Sequence, residues 1–164
     1  MPNTPRRVVS NTTPIITLSL LGQLSLLQQL YGTVLIPTAV ANEILAGGSR
    51  TGAAELQQAS YIHATPLQDP RHADLLSDLD RGEAEAIALA LEQNADLLIM
   101  DERLGRRHAS RLGIPLTGSL GILLKAKQKG HLTVIKSLLT QLEQAGIHLS
   151  PALIAQVLQQ AGET

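Results

Sequence analysis

Apolar residues are arranged along the chain in two alternating patterns. Short continuous apolar runs are typical of parallel strands covered on both faces, and they predict strands at residues 8–9, 34–37, 61–64, 97–100 and 114–117. Stretches with apolar residues three and four positions apart predict helices at residues 13–21, 24–30, 39–45, 53–60, 82–91, 102–112, 118–129, 132–142 and 150–158. Residues 65–71 contain two prolines and are predicted to form a turn-rich connection. The alternation predicts an α/β fold, a three-layer α/β/α domain around a mostly parallel sheet of four to five strands.

The chain shows no internal repeat, no low-complexity tract and no long linker. We therefore predict a single domain over residues 1–164, with a core at about residues 7–130 and a C-terminal helical extension at about residues 131–161. In this extension, Ser150 and Pro151 predict the cap and first turn of the last helix.

The composition excludes several classes of protein. The 164 residues include no cysteine, so disulfide scaffolds, thiolate zinc sites and cysteine nucleophiles are excluded. The 13 Lys and Arg against 14 Asp and Glu give a net charge of −1, so any nucleic-acid partner must meet a local basic patch. Aromatic residues make up 1% of the chain, which leaves little for base stacking. Because the first residues lack the pattern of a signal peptide and no stretch is long and apolar enough to span a membrane, we expect a cytoplasmic protein without membrane association.

Polar residues follow the predicted strands at the place where parallel α/β sheets bind ligands. Asn11 follows the first strand and Asp101 follows the fourth. Glu43 lies six residues beyond the second strand, or about 9 Å along a helix, which is near enough to lean back over the strand ends. Glu83 and Glu85 both begin the helix before the fourth strand, but residues two apart point about 200° away from each other. One of the two can face the site, and the periodicity does not decide which.

Clustered carboxylates without cysteine or paired histidine suit a hard cation, Mg²⁺ or Mn²⁺, which prefers oxygen ligands. None of the five histidines has the spacing of a zinc motif. A cation held by such acids activates water and neutralises charge on a phosphate in transit. Phosphodiester hydrolysis is therefore the reaction class that this pattern favours.

Four segments carry a resemblance to a known family, in this order: VVSNTTPIITL, VLIPTAVANEIL, RGEAEAIALAL and LLIMDERLGRRHASRLGIPLTGSLGILLKAKQKG. The chain resembles the PIN-domain family, specifically its short-chain VapC-type toxin branch. The similarity runs from about Val8 through Gly130 and continues through the tail, and the joint presence of GEAEAIALA and MDERLGRR is its most specific part. The resemblance implies a metal-dependent endoribonuclease of toxin–antitoxin type, with Mg²⁺ or Mn²⁺ as cofactor and RNA as substrate. It also implies a homodimer silenced by a small cognate antitoxin.

Transferred residue by residue, the resemblance places the family's catalytic and metal-binding acids at Asn11, Glu43, Glu83 and Asp101. The first of these departs from the more familiar pattern, which has Asp at this position. Asn11 offers a carbonyl oxygen without a negative charge, so a metal site here has one formal charge fewer.

Self-association is also expected from the aliphatic helices, because the chain has more leucines than one small core needs. The leucines on which this expectation rests are Leu20, Leu24, Leu27, Leu132 and Leu139.

Basic residues lie along the helix after Asp101 and the helix that follows it. They are Arg103, Arg106, Arg107, Arg111, Lys125 and Lys129. This stripe is a candidate track for RNA phosphates, with Arg103, Arg106, Arg107 and Lys125 as the candidate contacts. The alternative is a solvated helix face that pairs with Glu102 or Glu92.

Two other classes of function remain open at this stage. A catalytically silent PIN-like binding module would keep the fold and the partner surface without a competent metal site, since Asn11 is neutral. A phosphoryl-transfer site of receiver or phosphatase type would need an aspartate nucleophile at a strand end, and only Asp101 offers one. The segment 117–121 sits at a strand-to-helix junction where backbone amides can bind an anion, but it lacks the lysine of a phosphate loop and is interpreted as loop geometry.

Overall fold

A parallel sheet of five strands forms the centre of the protein in the computed structural model, which describes residues 7–163. The strands are β1 (Val8–Ser10), β2 (Val34–Pro37), β3 (Ile62–Thr65), β4 (Leu97–Ile99) and β5 (Leu116–Thr117). Their spatial order is β3-β2-β1-β4-β5, and every neighbouring pair is parallel. The chain adds β2 and β3 on one side of β1, and β4 and β5 on the other. The crevice in which such sheets bind ligands therefore lies at the carboxyl ends of β1 and β4.

Helices follow the strands on both faces of the sheet. They are α1 (Thr12–Leu20), α2 (Leu26–Tyr31), α3 (Thr38–Ala46), α4 (Ala53–Gln58), α5 (Arg71–Asp74), α6 (Arg81–Glu92), α7 (Arg103–Arg111), α8 (Ser119–Gln128), α9 (Lys136–Gln144) and α10 (Pro151–Ala161). Successive strand residues alternate between the two cores: Val8 and Ile99 pack on one side of the sheet, whereas Val9 and Leu98 pack on the other. This two-residue alternation is what a strand buried on both faces requires. The predicted three-layer α/β/α fold with a parallel sheet is confirmed.

Most element boundaries differ from the sequence prediction by one to three residues, and β5 is only Leu116–Thr117 rather than residues 114–117. Helix α1 begins at Thr12 with Asn11 as its N-cap residue, because the Asn11 N–H is still bonded to the Ile99 carbonyl, 3.0 Å away, at the end of the sheet ladder. The connection before α6 contains the short helix α5, which the prolines there did not predict. Helix α9 begins at Lys136 rather than near residue 132. The cap of α10 is as predicted, with the Ser150 hydroxyl accepting from the Leu153 N–H at 3.1 Å.

Four of the five leucines on which the expected self-association rests belong to the core or pack against it. Leu24, Leu27 and Leu139 are buried in the same core as Val8, and Leu132 packs against that core. Among these leucines only Leu20, at 38% exposed, lies at the surface. The core therefore uses four of these five leucines, which removes most of the basis for this expectation, and self-association stays a prediction.

The two C-terminal helices contribute to the core on the α1 face of the sheet. Leu138 and Leu142 of α9 and Val157 of α10 belong to the buried cluster that contains Val8 of β1. The predicted division near residue 130 stays a prediction. Within residues 7–163, every helix is too short or too polar to cross a bilayer.

Candidate functional site

The ends of β1 and β4 bring two of the predicted site residues to one edge of the sheet. Ser10 of β1 is paired with Ile99 of β4, so Asn11 and Asp101 follow neighbouring strand ends. Asn11 is only 3% exposed and sits in extended conformation, with φ −82° and ψ 179°. Its side chain is therefore fixed inside the crevice rather than solvated as a turn residue.

Two consecutive threonines connect the start of α1 to acidic residues on other elements. The Thr12 hydroxyl donates a hydrogen bond to Oε2 of Glu43, and the Thr13 hydroxyl donates to Oε1 of Glu102. The Asn11 side-chain amide donates to Oε2 of Glu102 at 3.0 Å. The start of α1 thus holds one carboxylate from α3 and one from the residue just before α7.

A bare glycine lies where the oxygen atoms of the site converge. A Cβ atom at Gly82 would stand 3.0 Å from Oε2 of Glu43, 3.6 Å from Oδ1 of Asn11 and 3.6 Å from Oδ1 of Asp80. Three oxygen donors from three different elements therefore surround a small space that any side chain at position 82 would occupy. The predicted reach of Glu43 from α3 back to the end of β1 is present in this arrangement.

Glu83 is the acid of this cluster whose pKa is shifted most strongly by its surroundings. Its pKa is raised to about 7, first by burial and then by the negative charges of Asp80, Glu102 and Glu43, together with a hydrogen bond to Asp80. Asp80 is the N-cap residue of α6, where its Oδ1 accepts from the Glu83 N–H at 2.8 Å. In the described part of the chain, no Lys, Arg or His forms an ion pair with Glu43, Asp80, Glu83 or Glu102. The negative charge gathered here is uncompensated.

Glu85 is held away from this cluster. One of its oxygens accepts from the Arg81 guanidinium at 2.9 Å and the other from the Ala39 N–H at 3.2 Å. Of the two glutamates between which the sequence could not choose, Glu83 therefore belongs to the acidic cluster. Glu85 instead connects α6 to the start of α3.

Asp101 is turned toward the start of α8. Its oxygens accept from the Ser119 N–H at 2.7 Å and from the Ser119 hydroxyl at 2.6 Å. A Cβ at Gly118 would come within 2.6 Å of Oδ1 of Asp101, which explains the glycine at this position. Burial raises the pKa of Asp101 against the opposing effect of the Ser119 hydrogen bonds. The backbone amide in segment 117–121 thus binds an anion after all, and that anion is the protein's own carboxylate.

Asp101 also opens onto a cleft between α8 and α10. It lines a cavity of about 410 Å³ together with Arg106, Gln156 and Gln160. A second cavity of about 670 Å³ shares Gln160 with the first and continues along α8 past Lys125. The two cavities are neighbours that share Gly121, Leu124 and Gln160 in their linings, and together with Asp101 they define the groove referred to below.

The predicted basic stripe is largely free of acidic partners. Arg103 and Arg107 are exposed and form no ion pair within residues 7–163. Arg106 donates to the Met100 carbonyl at 2.8 Å. The alternative pairing with Glu92 is absent, because Glu92 lies 2.7 Å from His72 Nδ1 and accepts from backbone amides. Lys125 stands 5.3 Å from the centre of the Tyr31 ring, the one candidate RNA contact with an aromatic partner among the described residues.

The donor set fits a hard divalent cation in chemistry but is not assembled as a complete ligand sphere. The three atoms nearest to the Cβ position of Gly82 are oxygens, and within residues 7–163 the carboxylates around them form no ion pair with a basic side chain. Oxygen ligands with uncompensated negative charge are what Mg²⁺ and Mn²⁺ prefer. As placed, however, no three Asp, Glu, His or Cys side chains within residues 7–163 stand together closely enough to hold a metal ion. Glu43, Asn11 and Asp80 supply the oxygens nearest to the Cβ position of Gly82, whereas the Asp101 carboxylate accepts hydrogen bonds from Ser119.

Sequence reasoning missed two residues of this cluster, Asp80 and Glu102. Asp80 precedes α6 by one residue and has the N-cap chemistry that marks a helix start, so this signal was present in the sequence. Glu102 directly follows Asp101 in extended backbone, with φ −68° and ψ 131°. Successive extended residues point to opposite sides, which sends Asp101 toward α8 and Glu102 toward α1.

Comparison with known proteins agrees with this geometry. A search of curated proteins finds no match. A family model described as a PIN domain matches residues 7–163, nearly the whole chain. PIN domains are generally metal-dependent nucleases that act on RNA, and an acidic crevice beyond the ends of parallel strands is consistent with that chemistry. The chain belongs to the PIN-domain family.

Proposed function

We propose that the protein is a metal-dependent endoribonuclease of the toxin–antitoxin type that hydrolyses RNA phosphodiesters. One observation carries the proposal: oxygens of Asn11, Glu43 and Asp80 converge on the bare Gly82, beside a Glu83 whose pKa is raised to about 7. Carboxylates that lie this close together without a cation destabilise one another. A bound divalent cation relieves that repulsion, so the arrangement favours binding one.

The residues of the cluster have distinct roles in this proposal. Asn11 and Glu43 present oxygens to Mg²⁺ or Mn²⁺, with Thr12 holding the Glu43 carboxylate in place. Glu83 adds negative charge from the start of α6, and Asp101 is proposed as the fourth ligand. When bound, the cation activates water and neutralises charge on the scissile phosphate. In this proposal water is the nucleophile, and no side chain forms a covalent intermediate.

RNA phosphates are proposed to lie along the groove beside Asp101 and over the start of α7. Arg106 lines this groove, Lys125 lines its continuation, and Arg103 and Arg107 are exposed on the adjacent helix. These side chains contact phosphates rather than base edges, so binding is expected to weaken steeply with added salt. A homodimer and a small cognate antitoxin complete the proposal, and they rest on the family resemblance. A cytoplasmic location is proposed as well, as the sequence analysis expects.

A matched pair of substitutions on one helix tests the proposal. Glu83→Gln removes a charge of the cluster, whereas Glu85→Gln removes a charge that is held by Arg81 and the Ala39 N–H. Mixed-sequence RNA is incubated with each purified protein in Mn²⁺, Mg²⁺ or EDTA. We expect metal-dependent cleavage by the wild type and by Glu85→Gln, and a loss of ~100-fold or more in Glu83→Gln. Equal loss in both variants, or cleavage that persists in EDTA, would contradict the proposal.

A second candidate function is a silent PIN-like binding module. It is favoured by the neutral side chain of Asn11 and, within residues 7–163, by the incomplete ligand sphere. This candidate predicts no saturable Mn²⁺ binding by the wild type, and it predicts that Asn11→Asp creates or greatly raises Mn²⁺-dependent cleavage. Under the ribonuclease proposal the wild type is already active.

A further inference from the structure

We propose that Glu102 supplies the negative charge that Asn11 lacks, and that the two side chains work as one unit in which Glu102 is the positioning residue and Asn11 the oxygen donor. This inference rests on the proposed function, since it assigns a partner within the same site. It concerns a residue outside the four positions, Asn11, Glu43, Glu83 and Asp101, that the sequence analysis assigns to the site.

The first argument is the direction of the hydrogen bond between the two side chains. An ionised carboxylate can only accept, so the nitrogen of the Asn11 amide must face Oε2 of Glu102, at 3.0 Å. The amide oxygen is thereby forced to the other side. There it lies 3.6 Å from the Cβ position of Gly82, beside Oε2 of Glu43. Glu102 thus determines which atom of Asn11 is presented to the site.

The second argument is that Glu102 is itself fixed in place. Its other oxygen, Oε1, accepts from the Thr13 hydroxyl, so both oxygens are held by residues at the start of α1. Within the described residues it has no cationic partner. The charge of Glu102 is therefore directed at the cluster rather than neutralised by the arginines of α7 that follow it.

The third argument is that an acidic side chain at position 11 would lie against the Glu102 carboxylate. An Asp side chain there would place its carboxylate against Glu102 at the distance now spanned by a hydrogen bond, inside a crevice where Asn11 is 3% exposed. Two carboxylates this close cannot both stay ionised without a cation between them. The pair Asn11 and Glu102 carries one negative charge, as an Asp paired with a neutral residue would. The negative charge that position 11 lacks is thus carried by Glu102.

If Asn11 and Glu102 act as one unit, Glu102→Gln should have opposite effects in the chain with Asn11 and in the variant Asn11→Asp. The variants are Asn11→Asp, Glu102→Gln and the double variant, with Glu85→Gln as a control acid on another face. Each is measured by thermal unfolding in EDTA at pH 8 and by calorimetric titration with Mn²⁺.

In the chain with Asn11, we expect Glu102→Gln to weaken Mn²⁺ binding by about 10- to 100-fold, the effect typical of a residue that orients a ligand. In the metal-free protein, we expect Asn11→Asp to lower the melting temperature by roughly 4 °C or more. Adding Glu102→Gln to Asn11→Asp restores that melting temperature and keeps Mn²⁺ binding within a few fold of wild type, because the new side-chain amide at position 102 then donates to the new carboxylate at position 11. The same substitution is harmful in one background and beneficial in the other.

Two results would overturn the inference. One is an equal effect of Glu102→Gln in both backgrounds, and the other is wild-type Mn²⁺ affinity in the single variant Glu102→Gln. The unfolding arm needs no metal, so it separates this inference from the proposed function. If no variant binds Mn²⁺ or cleaves RNA, the ribonuclease proposal fails, while the melting temperatures alone support or reject the pairing of Asn11 with Glu102.

Discussion

Replacing Glu83 by Gln should stabilise the metal-free protein at pH 7 to 8 while removing its metal-dependent activity. The pKa of Glu83 is raised from 4.5 to about 7, first by burial and then by Asp80, Glu102 and Glu43. The folded protein therefore holds this proton more tightly than the unfolded chain does. Its contribution to stability is full below pH 4.5 and is lost as the pH rises through about 7.

The size of the effect follows from the two pKa values. A difference between 4.5 and about 7 corresponds to about 3 kcal/mol. Because Glu83 is partly exposed, water screens these charges, and we expect about 1 to 2 kcal/mol at pH 8. Gln has no charge to bury, so the variant should gain this amount at pH 8 and almost nothing at pH 4.5.

Urea unfolding followed by circular dichroism at pH 5, 6, 7 and 8 in EDTA measures this difference. The stability of Glu83→Gln minus that of wild type should rise with pH across the series. Glu85→Gln serves as the matched control, and we expect it to lose stability because the ion pair with Arg81 and the acceptor for the Ala39 N–H are weakened. A difference between Glu83→Gln and wild type that stays constant from pH 5 to pH 8 would refute the reasoning.

Three further predictions follow from individual contacts. Gly82→Ala places a methyl group 3.0 Å from Oε2 of Glu43; we expect stability within ~1 kcal/mol of wild type, since Ala favours the helix, and weaker Mn²⁺ binding, with thermal unfolding and calorimetric titration as the measurements. Asp101→Asn keeps an acceptor for the Ser119 N–H and should stay folded by circular dichroism; a loss of RNA cleavage well beyond the roughly 10- to 100-fold typical of a positioning group would support its role as a ligand, and unchanged cleavage would contradict it. Glu92→Gln leaves one of two backbone amides facing a donor, where the Glu92 side chain is 4% exposed; we expect a loss of about 1 to 3 kcal/mol in urea unfolding, with cleavage unchanged.

Most of the fold could be predicted because its strands are short and buried on both faces. Runs such as Leu97–Ile99 are typical of a central parallel strand. The rule that ligands bind beyond strand ends then brought Asn11 and Asp101 to one edge. The connection before α6 was harder to predict, because α5 is a single turn of four residues that packs against α6, and so short a helix leaves no periodic pattern in the sequence.

Side-chain direction is what the sequence could not provide at the site. Glu83 and Glu85 flank the same apolar stripe, and only the position of Arg81 and the start of α3 shows which one faces the crevice. Asp101 and Glu102 are adjacent, yet one is held by Ser119 and the other by Asn11. The arginines of α7 had suggested an ion-pair partner for Glu102, but Asn11 and Thr13 occupy its carboxylate instead.

The most direct test of the account is a calorimetric titration of the purified chain with Mn²⁺ at pH 7.5, with cleavage of a mixed-sequence RNA followed in the same buffer. The account predicts saturable binding and cleavage that appears only with the metal, with both weakened in Gly82→Ala. A protein that takes up no Mn²⁺ and leaves the RNA intact would contradict it, and would make the silent binding module the function to pursue.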